Sequence, residues 1–240
     1  MRSYFKRLKF LIVLIGFSAC AWVSASSFDQ FFKALHFDRP EEIRALLARG
    51  FDPNSVNEKG VPAIHVAIED RALKSASVLV AHPQFKLEIT NTVGETPLML
   101  AAIFDLRELA HQLVERGADV NRPGWTPLHY ASVKGRIELM RLLIDKDAYL
   151  DAESPTGDTP LMLAVRDGNP RACKLLLEEG ADPTLVNPRN NHTAQSLAEA
   201  LNKTECERLI VAFTAAWEQN LQRAAEAEKA QDAAENAARK

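Results

Sequence analysis

The chain has 240 residues, of which 29 are basic and 32 are acidic, and its formal net charge is −3. This slightly acidic balance provides no electrostatic basis for binding nucleic acid or an anionic membrane surface. No stretch rich in Pro, Gly or Ser divides the chain, so the composition predicts one elongated domain.

The first 25 residues are predicted to be a secretory signal peptide that is cleaved after Ala25. Four basic residues precede an uncharged apolar run at 10–23, and small residues follow it. An uncleaved anchor is disfavoured because this run is shorter than the ~20 residues that cross a bilayer.

Lipid attachment at Cys20 stays open as an alternative, since F-S-A-C resembles a lipoprotein box. Without residues 1–25 the chain has 25 basic and 32 acidic residues, a net charge of −7. We therefore expect an acidic periplasmic or secreted protein with no membrane span in the mature chain.

A pair of short helices is predicted at residues 124–151. Thr126 and Pro127 begin the first helix, because a hydroxyl can cap free backbone N–H groups and the fixed φ of proline suits a first turn. Gly135 ends this helix, and the apolar stripe after it predicts the second. Two helices of about nine residues cannot bury their apolar faces alone, so neighbouring copies must cover them.

Copies of this helix pair align on a residue near their start: Gly60, Gly94, Gly124, Gly157 and, in a fifth copy, Asn191. Their separations are 34, 30, 33 and 34 residues. The segments E-T-P-L-M-L-A-A and D-T-P-L-M-L-A-V begin two of the copies, and R-G-F-D-P-N, R-G-A-D-V-N and E-G-A-D-P-T recur at unit ends. The sequence is therefore an array of one repeated unit.

These two motifs, in register over several copies, resemble the ankyrin-repeat family, whose signature T-P-L-H-x-A is intact at 126–131. The resemblance covers residues 28–213 approximately and indicates a secreted or periplasmic bacterial type. It implies an all-α ankyrin-repeat solenoid of stacked helix-turn-helix units with short β-hairpin loops, to which we add a C-terminal extended helix. The expected divisions are a cap at 28–59, repeats at 60–93, 94–123, 124–156 and 157–190, a cap at 191–213 and a tail at 214–240.

One junction between units is shorter than the others. Five residues separate the last Asn or Asp of a unit from the next glycine at 54–60 and at 151–157, but only two do so at 121–124. In the ankyrin family these residues form the tip of a projecting hairpin, so the resemblance implies that this finger is missing. Two interpretations stay open: a neutral deletion in a loop, or a notch in a recognition surface.

Two further segments depart from the repeat. Pro62 replaces the motif threonine, and an unusual unit end predicts a different loop around His82 and Pro83. Beyond residue 213 the composition, rich in Ala, Glu and Lys, favours helix, but no apolar stripe continues past Trp217 and Leu221. We expect this tail, helical or disordered, to be a solvated extension rather than a docking helix.

The sequence contains no catalytic or metal-binding motif, so neither an enzyme nor a cofactor is expected. The resemblance implies that His65 and His129, at the fourth position of T-P-L-H, form hydrogen bonds with neighbouring units. Cys173 and Cys206 are expected to be buried, reduced thiols rather than a disulfide. Helices stacked ~8–10 Å apart exceed the reach of an unstrained disulfide.

The resemblance also implies which residues face a partner. The family lines a concave groove with the residue between Gly and Thr and with the last residues of the first helix. At the matching positions, apolar residues gather near the short junction with charged residues around them, a pattern typical of partner sites. The predicted partner-binding residues are Trp125, Phe104, Ile103, Val133, Lys134, Glu95, Asp158 and Arg166. The alternative is that Trp125 and Phe104 fold down to fill the gap left by the missing hairpin.

The sequence thus predicts a monomeric, non-catalytic module that binds an unidentified partner protein in the cell envelope. Two narrower functions are compatible with this prediction. The protein could inhibit, or confer immunity to, a periplasmic enzyme or toxin, and its negative charge would suit a basic partner. It could instead be an accessory factor that stabilises an envelope enzyme.

Overall fold

The structure, a computed structural model, describes residues 27–238. The predicted signal peptide, its cleavage after Ala25 and the alternative lipid attachment at Cys20 lie outside these residues. Within them the regular secondary structure is helical, apart from one isolated antiparallel bridge between Val56 and Pro62. The loops expected as β-hairpins are therefore turns in which no extended strand forms. None of the helices in this part of the chain combines the length and the apolar character needed to cross a membrane.

The helices come in pairs, one pair for each predicted unit. They are α1 (27–36), α2 (Pro40–Ala48), α3 (Ala63–Glu69), α4 (Leu73–Ala81), α5 (Pro97–Phe104), α6 (Arg107–Glu115), α7 (Pro127–Val133), α8 (Ile137–Ile144), α9 (Pro160–Asp167), α10 (Pro170–Glu178), α11 (Ala194–Ala200) and α12 (Thr204–Ala238). The last helix continues without a break through the expected boundary at residue 213.

The described residues form two compact units. The first contains residues 27–100 and His111–Ala118, and in it α4 packs against α2 and α3. The second contains Ala101–Ala110 and residues 119–238. In the second unit α9 packs against α7, α10 and α11, while α12 packs against α10 and α11. Each helix pair in this unit thus covers the next, which is how helices of seven to nine residues bury their apolar faces.

Threonine residues begin the first helix of four units. The side-chain oxygens of Thr96, Thr126, Thr159 and Thr193 accept hydrogen bonds from the backbone N–H three residues later, at 3.3, 3.4, 3.3 and 3.1 Å. A proline occupies the first helical position after the first three of these caps. Each cap satisfies a backbone donor that would otherwise lack a partner, which stabilises a helix by about 1 kcal/mol.

The residues used to align the repeats all have the left-handed backbone conformation. Their φ angles are 76° at Gly60, 87° at Gly94, 88° at Gly124, 79° at Gly157 and 60° at Asn191. Glycine adopts this region freely, and asparagine tolerates it better than most residues. The structure thus confirms the register of the five copies, including the one that lacks glycine.

The short junction has one asparagine where a longer junction has two. In the longer junction at 54–60, the Asn57 side chain closes the tip by accepting from two backbone N–H groups, both at 2.9 Å. Asn121 stands equally far before Gly124, but its side chain instead donates to the Asp147 oxygen and accepts from the Tyr149 N–H, both at 2.7 Å. The Asn121 side chain therefore binds the next unit, as the Asn54 side chain does. The short junction therefore has no asparagine side chain that closes its tip as Asn57 does in the longer junction.

The loop after α4 differs from the others, as the sequence predicts. Gly50, Gly117 and Gly180 follow the second helices of other units with φ angles of 91°, 88° and 101°. The equivalent residue after α4 is Pro83, whose ring excludes a positive φ, and His82 before it is extended, with φ −71° and ψ 133°. The Arg116 guanidinium donates to the His82 oxygen at 3.1 Å, which satisfies a carbonyl at this altered end.

Cys173 on α10 and Cys206 on α12 are buried free thiols, as expected, but they are not held apart. Their Sγ atoms are 2.8 Å from each other. The prediction that stacked helices keep the two sulfurs out of reach was therefore wrong. The separation of two helix axes does not set the separation of side chains that both point into the interface between them.

Candidate functional site

A small apolar cleft opens in the second unit, close to the short junction. Ile103 on α5, Trp125 in the loop before α7, and Tyr130 and Val133 on α7 line about 180 Å³. We name this the Trp125 cleft. All four residues are half-buried, so each presents part of its apolar surface to solvent. Three of the four belong to the predicted partner-binding set.

Trp125 rests on α7 without filling the cleft. Its ring centroid lies 5.6 Å from that of His129 and 6.0 Å from that of Tyr130, with interplanar angles of 80° and 72°. These edge-to-face contacts hold one side of the indole. This geometry does not match the alternative in which Trp125 folds down into the gap of the short junction, because the ring lines an open cleft.

Tyr130 is a cleft residue that sequence reasoning missed. It follows the motif histidine, and the family pattern does not assign this position to the groove. A local signal was nevertheless present, because residues three apart on a helix share a face and Tyr130 precedes Val133 by that interval. Extending the apolar face back from Val133 along α7 would have identified it.

Phe104 and Lys134 lie at the ends of their helices, next in sequence to cleft residues. Phe104 is 38% exposed and does not line the cleft. The Lys134 ammonium is exposed and lies 3.8 Å from the Asp167 carboxylate. An exposed ion pair of this kind contributes little to stability, so both charges remain available to a partner.

Asp158 does not lie on an exposed rim, and that part of the prediction was wrong. Its side chain is 1% exposed, and Arg166 binds it through two guanidinium nitrogens, each at 2.9 Å. The Thr156 hydroxyl and the Asn187 amide donate to the same carboxylate at 2.9 and 2.8 Å. A carboxylate with this many donors can be buried because its charge is paired and its oxygens are satisfied. The contact with Asn187 thus connects the loop before α9 to the loop after α10, and the Arg166 side chain on α9 stays partly exposed.

Glu95 belongs to the first compact unit. Its carboxylate accepts a hydrogen bond from the Asn91 amide at 2.7 Å, and its backbone oxygen accepts from His65 Nε2 at 2.8 Å. The side chain therefore stabilises the loop to which it belongs. The Trp125 cleft is formed by residues of the second unit alone.

The motif histidines have the structural role that the resemblance implies. His129 is fully buried, and its Nε2 donates to the backbone oxygens of Ala152 and Asp158 at 3.0 and 3.2 Å. Burial lowers the pKa of His65 and of His129 below the ordinary value, which favours neutral imidazoles. Within residues 27–238 no group of three or more His, Cys, Asp or Glu side chains is placed to hold a metal ion.

Comparison with known proteins agrees with this architecture. The family model "Ankyrin repeats (3 copies)" matches residues 31–123 and 108–187. The B-cell lymphoma 3 protein homolog of Mus musculus is 29% identical over 159 residues, covering 63% of this chain and 36% of that protein. Ankyrin repeat and SAM domain-containing protein 6 of Rattus norvegicus is 41% identical over 110 residues, covering 41% of this chain and 12% of that protein. The chain thus spans little more than a third, or less, of the length of these relatives.

Solved structures show the same fold. An ankyrin repeat domain from Acinetobacter baumannii AYE superposes with a TM-score of 0.69 at 23% identity, covering 77% of this chain and 97% of that one. The ankyrin repeat domain of Bcl-3 superposes with a TM-score of 0.63 at 27% identity, covering 72% of this chain and 80% of that one. The predicted all-α ankyrin-repeat solenoid is confirmed. Since the family model also matches more than half of its residues, this chain belongs to the ankyrin-repeat family.

Proposed function

We propose that this protein is exported and binds a partner protein in the cell envelope, using the Trp125 cleft as the anchor point. Ankyrin-repeat domains are protein–protein interaction modules, and their fold is generally non-catalytic. The observation that carries the proposal is the unfilled apolar cleft beside a half-buried tryptophan. Apolar clefts lined by aromatic residues are where partner side chains obtain most of their binding energy.

The residues around the cleft suit the binding of a partner protein by direct contact. Lys134 and Asp167 are exposed next to it, and they supply a polar rim of both signs around an apolar centre. Trp125 is held by His129 and Tyr130, so a partner would lose little affinity to ordering this side chain. A net charge of −7 without residues 1–25 favours a partner with a basic surface.

Export is supported by the N-terminal sequence. The basic start, the apolar run and the small residues before Ser26 match a cleavable secretory signal. A chain recovered from the periplasm or the medium should therefore begin at Ser26, as measured by its intact mass. A lipid-modified chain beginning at Cys20 would contradict soluble export, though not partner binding.

The cleft is tested by comparing partner capture by three forms of the protein. Immobilised wild-type chain, Trp125→Ala and Tyr149→Ala would be exposed to envelope extract, and the captured protein would be quantified by mass spectrometry and titrated. Tyr149 is the matched control because it is an aromatic residue of the same unit, 65% exposed and outside the cleft. We expect Trp125→Ala to weaken binding by about 2 kcal/mol or more, which is a 30-fold loss or greater, with no loss for Tyr149→Ala.

Two results would contradict the proposal. One is equal capture by wild-type chain and Trp125→Ala. The other is a large fall in the melting temperature of Trp125→Ala, which would make this residue part of the core. If a partner is captured, its activity with and without the chain separates the two narrower functions: an inhibitor lowers the activity, whereas an accessory factor preserves it.

A further inference from the structure

The second unit contains a pair of buried cysteines that the proposed binding function does not use. Cys173 lies on α10, within the repeat at 157–190, and Cys206 lies in the first turn of α12. Their residues are 0% and 1% exposed. The two Sγ atoms are 2.8 Å apart, although 32 residues separate them in the sequence.

We propose that Cys173 and Cys206 form an intramolecular disulfide that fastens α12 to α10. A covalent S–S bond measures about 2.05 Å, so the two sulfurs need to approach by only about 0.75 Å. Both cysteines lie on helices that already pack against each other, so the bond joins two elements that are in contact without it.

The surroundings of the two thiols give them different chemical roles. The contact with Cys173, together with the positive charge of Lys203, lowers the pKa of the Cys206 thiol. The contact with Cys206 and burial raise the pKa of the Cys173 thiol. Cys206 is therefore the thiol that ionises first, and a thiolate is the nucleophile in disulfide exchange.

The oxidant is a donor disulfide, either a small molecule such as oxidised glutathione or a protein disulfide. The Cys206 thiolate attacks one donor sulfur, which forms a mixed disulfide and releases the first donor thiolate. The Cys173 thiolate then attacks the Cys206 sulfur, which forms the intramolecular bond and releases the second donor thiolate. The two protons lost by the cysteines are taken up by the donor thiolates, and two electrons reduce the donor.

The donor reaches these buried sulfurs during folding, or when the start of α12 opens. Native proteins open locally at free energies below that of global unfolding, which exposes groups that are buried in the closed form. Once formed, the bond closes a loop across one repeat and restrains the unfolded chain. Such bonds persist in oxidising compartments, which the proposed export would provide, but a test on purified protein does not depend on export.

Peptide mapping tests the bond directly. Full-length chain carrying Cys20→Ser, so that only two thiols remain, would be incubated with oxidised glutathione, alkylated while unfolded, and digested with trypsin. We expect peptide 172–174 to be joined to peptide 204–208, with the joined pair lighter than the two free peptides by two hydrogen atoms. Recovery of both cysteines in alkylated form, or of a bond between two chains, would overturn the proposal.

Thermal unfolding of the same protein tests the structural consequence of the bond. We expect the oxidised chain to melt ~5–10 °C above the reduced chain. Cys173→Ala in the Cys20→Ser background, which keeps a small apolar group in the buried position, should melt at one temperature whatever the redox treatment. Equal melting of the oxidised and reduced two-thiol chain would show that the bond does not fasten α12.

Discussion

At the scale of single residues, two histidines at the same motif position differ in how well their hydrogen bonds are satisfied. His129 Nδ1 accepts from the backbone N–H of Thr126 at 3.0 Å, with the Thr126 hydroxyl 2.8 Å away. Pro62 stands in the same place before His65 and has neither an N–H nor a hydroxyl. His65 Nε2 donates to the Glu95 oxygen, so Nδ1 is left as a buried acceptor, and it has no hydrogen-bond partner. A buried acceptor without a hydrogen-bond partner lowers the stability of the fold by about 1–3 kcal/mol.

Replacing Pro62 with threonine should therefore stabilise the protein. Pro62→Thr supplies an N–H and a hydroxyl as donors for His65 Nδ1, and part of this gain is offset because the unfolded chain loses the rigidity of proline. We expect a net gain of about 1 kcal/mol, which raises the melting temperature by about 2–4 °C. Pro62→Val is the control, because it restores the N–H without the hydroxyl and should fall between wild type and Pro62→Thr. A lower melting temperature for Pro62→Thr than for wild type would contradict this account.

At the scale of one element, the second helix of four units, α2, α6, α8 and α10, ends in a residue with left-handed conformation. Glycine occupies this position after α2, α6 and α10, but Asp147 occupies it after α8 with a φ of 60°. Its N–H donates to the Ile144 oxygen at 2.9 Å, as the Gly117 N–H donates to the Val114 oxygen at 2.9 Å. The geometry of the helix end is thus kept with an unfavourable residue. A Cβ atom costs about 1–2 kcal/mol in this conformation.

Asp147→Gly should accordingly raise stability by about 0.5–1 kcal/mol, because relief of the Cβ strain exceeds the entropy that glycine adds to the unfolded chain. Urea denaturation would measure this as a higher midpoint with an unchanged slope. The reverse change, Gly117→Ala, is the matched control, because a Cβ there meets no atom within 4 Å and only the backbone is strained. It should lose about 1 kcal/mol. If both variants change stability in the same direction, the explanation fails.

At the scale of the whole molecule, the first part of α12 packs against α10 and α11, and the rest of the helix extends beyond them. Cys206 and Ile210 are buried, and Phe213 and Trp217 line a cleft of about 320 Å³ with Leu177 on α10 and the loop after it. Beyond this cleft the described side chains are exposed; they are Gln219, Gln222, Arg223, Glu226 and Lys229. The packed part of the helix thus extends to Trp217, past the boundary expected from the sequence.

Two truncations separate these parts. Removing 218–240 should change the melting temperature by no more than about 1 °C, because the described side chains that are lost are solvated. Removing 215–240 also takes Trp217 from its cleft, and we expect the melting temperature to fall by about 3–6 °C. Trp217→Ala in the full chain should reproduce most of this fall. An equally large effect of the shorter deletion would show that the extension packs against the repeats.

Much of the fold could be predicted because its signals are local. Threonine caps, prolines at first helical positions and glycines with positive φ act within four or five residues, so each copy shows its own helix boundaries. The turn between the two helices of a unit was harder to predict from the sequence. It has a left-handed residue in every unit, and that residue is Gly135 in one unit but Arg71 in another and Asp105 in a third. Packing imposes this conformation on residues that do not favour it.

The sequence by itself determined the repeated unit and its register, because these follow from patterns within single copies. The resemblance to the family indicated three of the four residues that line the cleft. Only the tertiary structure decided that Asp158 is buried, since its partner Asn187 lies 29 residues away, in the loop that follows α10. The contact of Cys173 with Cys206 was decided in the same way, by packing across two helices. Burial, pairing and the shape of a cleft depend on where side chains from different copies meet, and a repeat pattern describes only what the copies have in common.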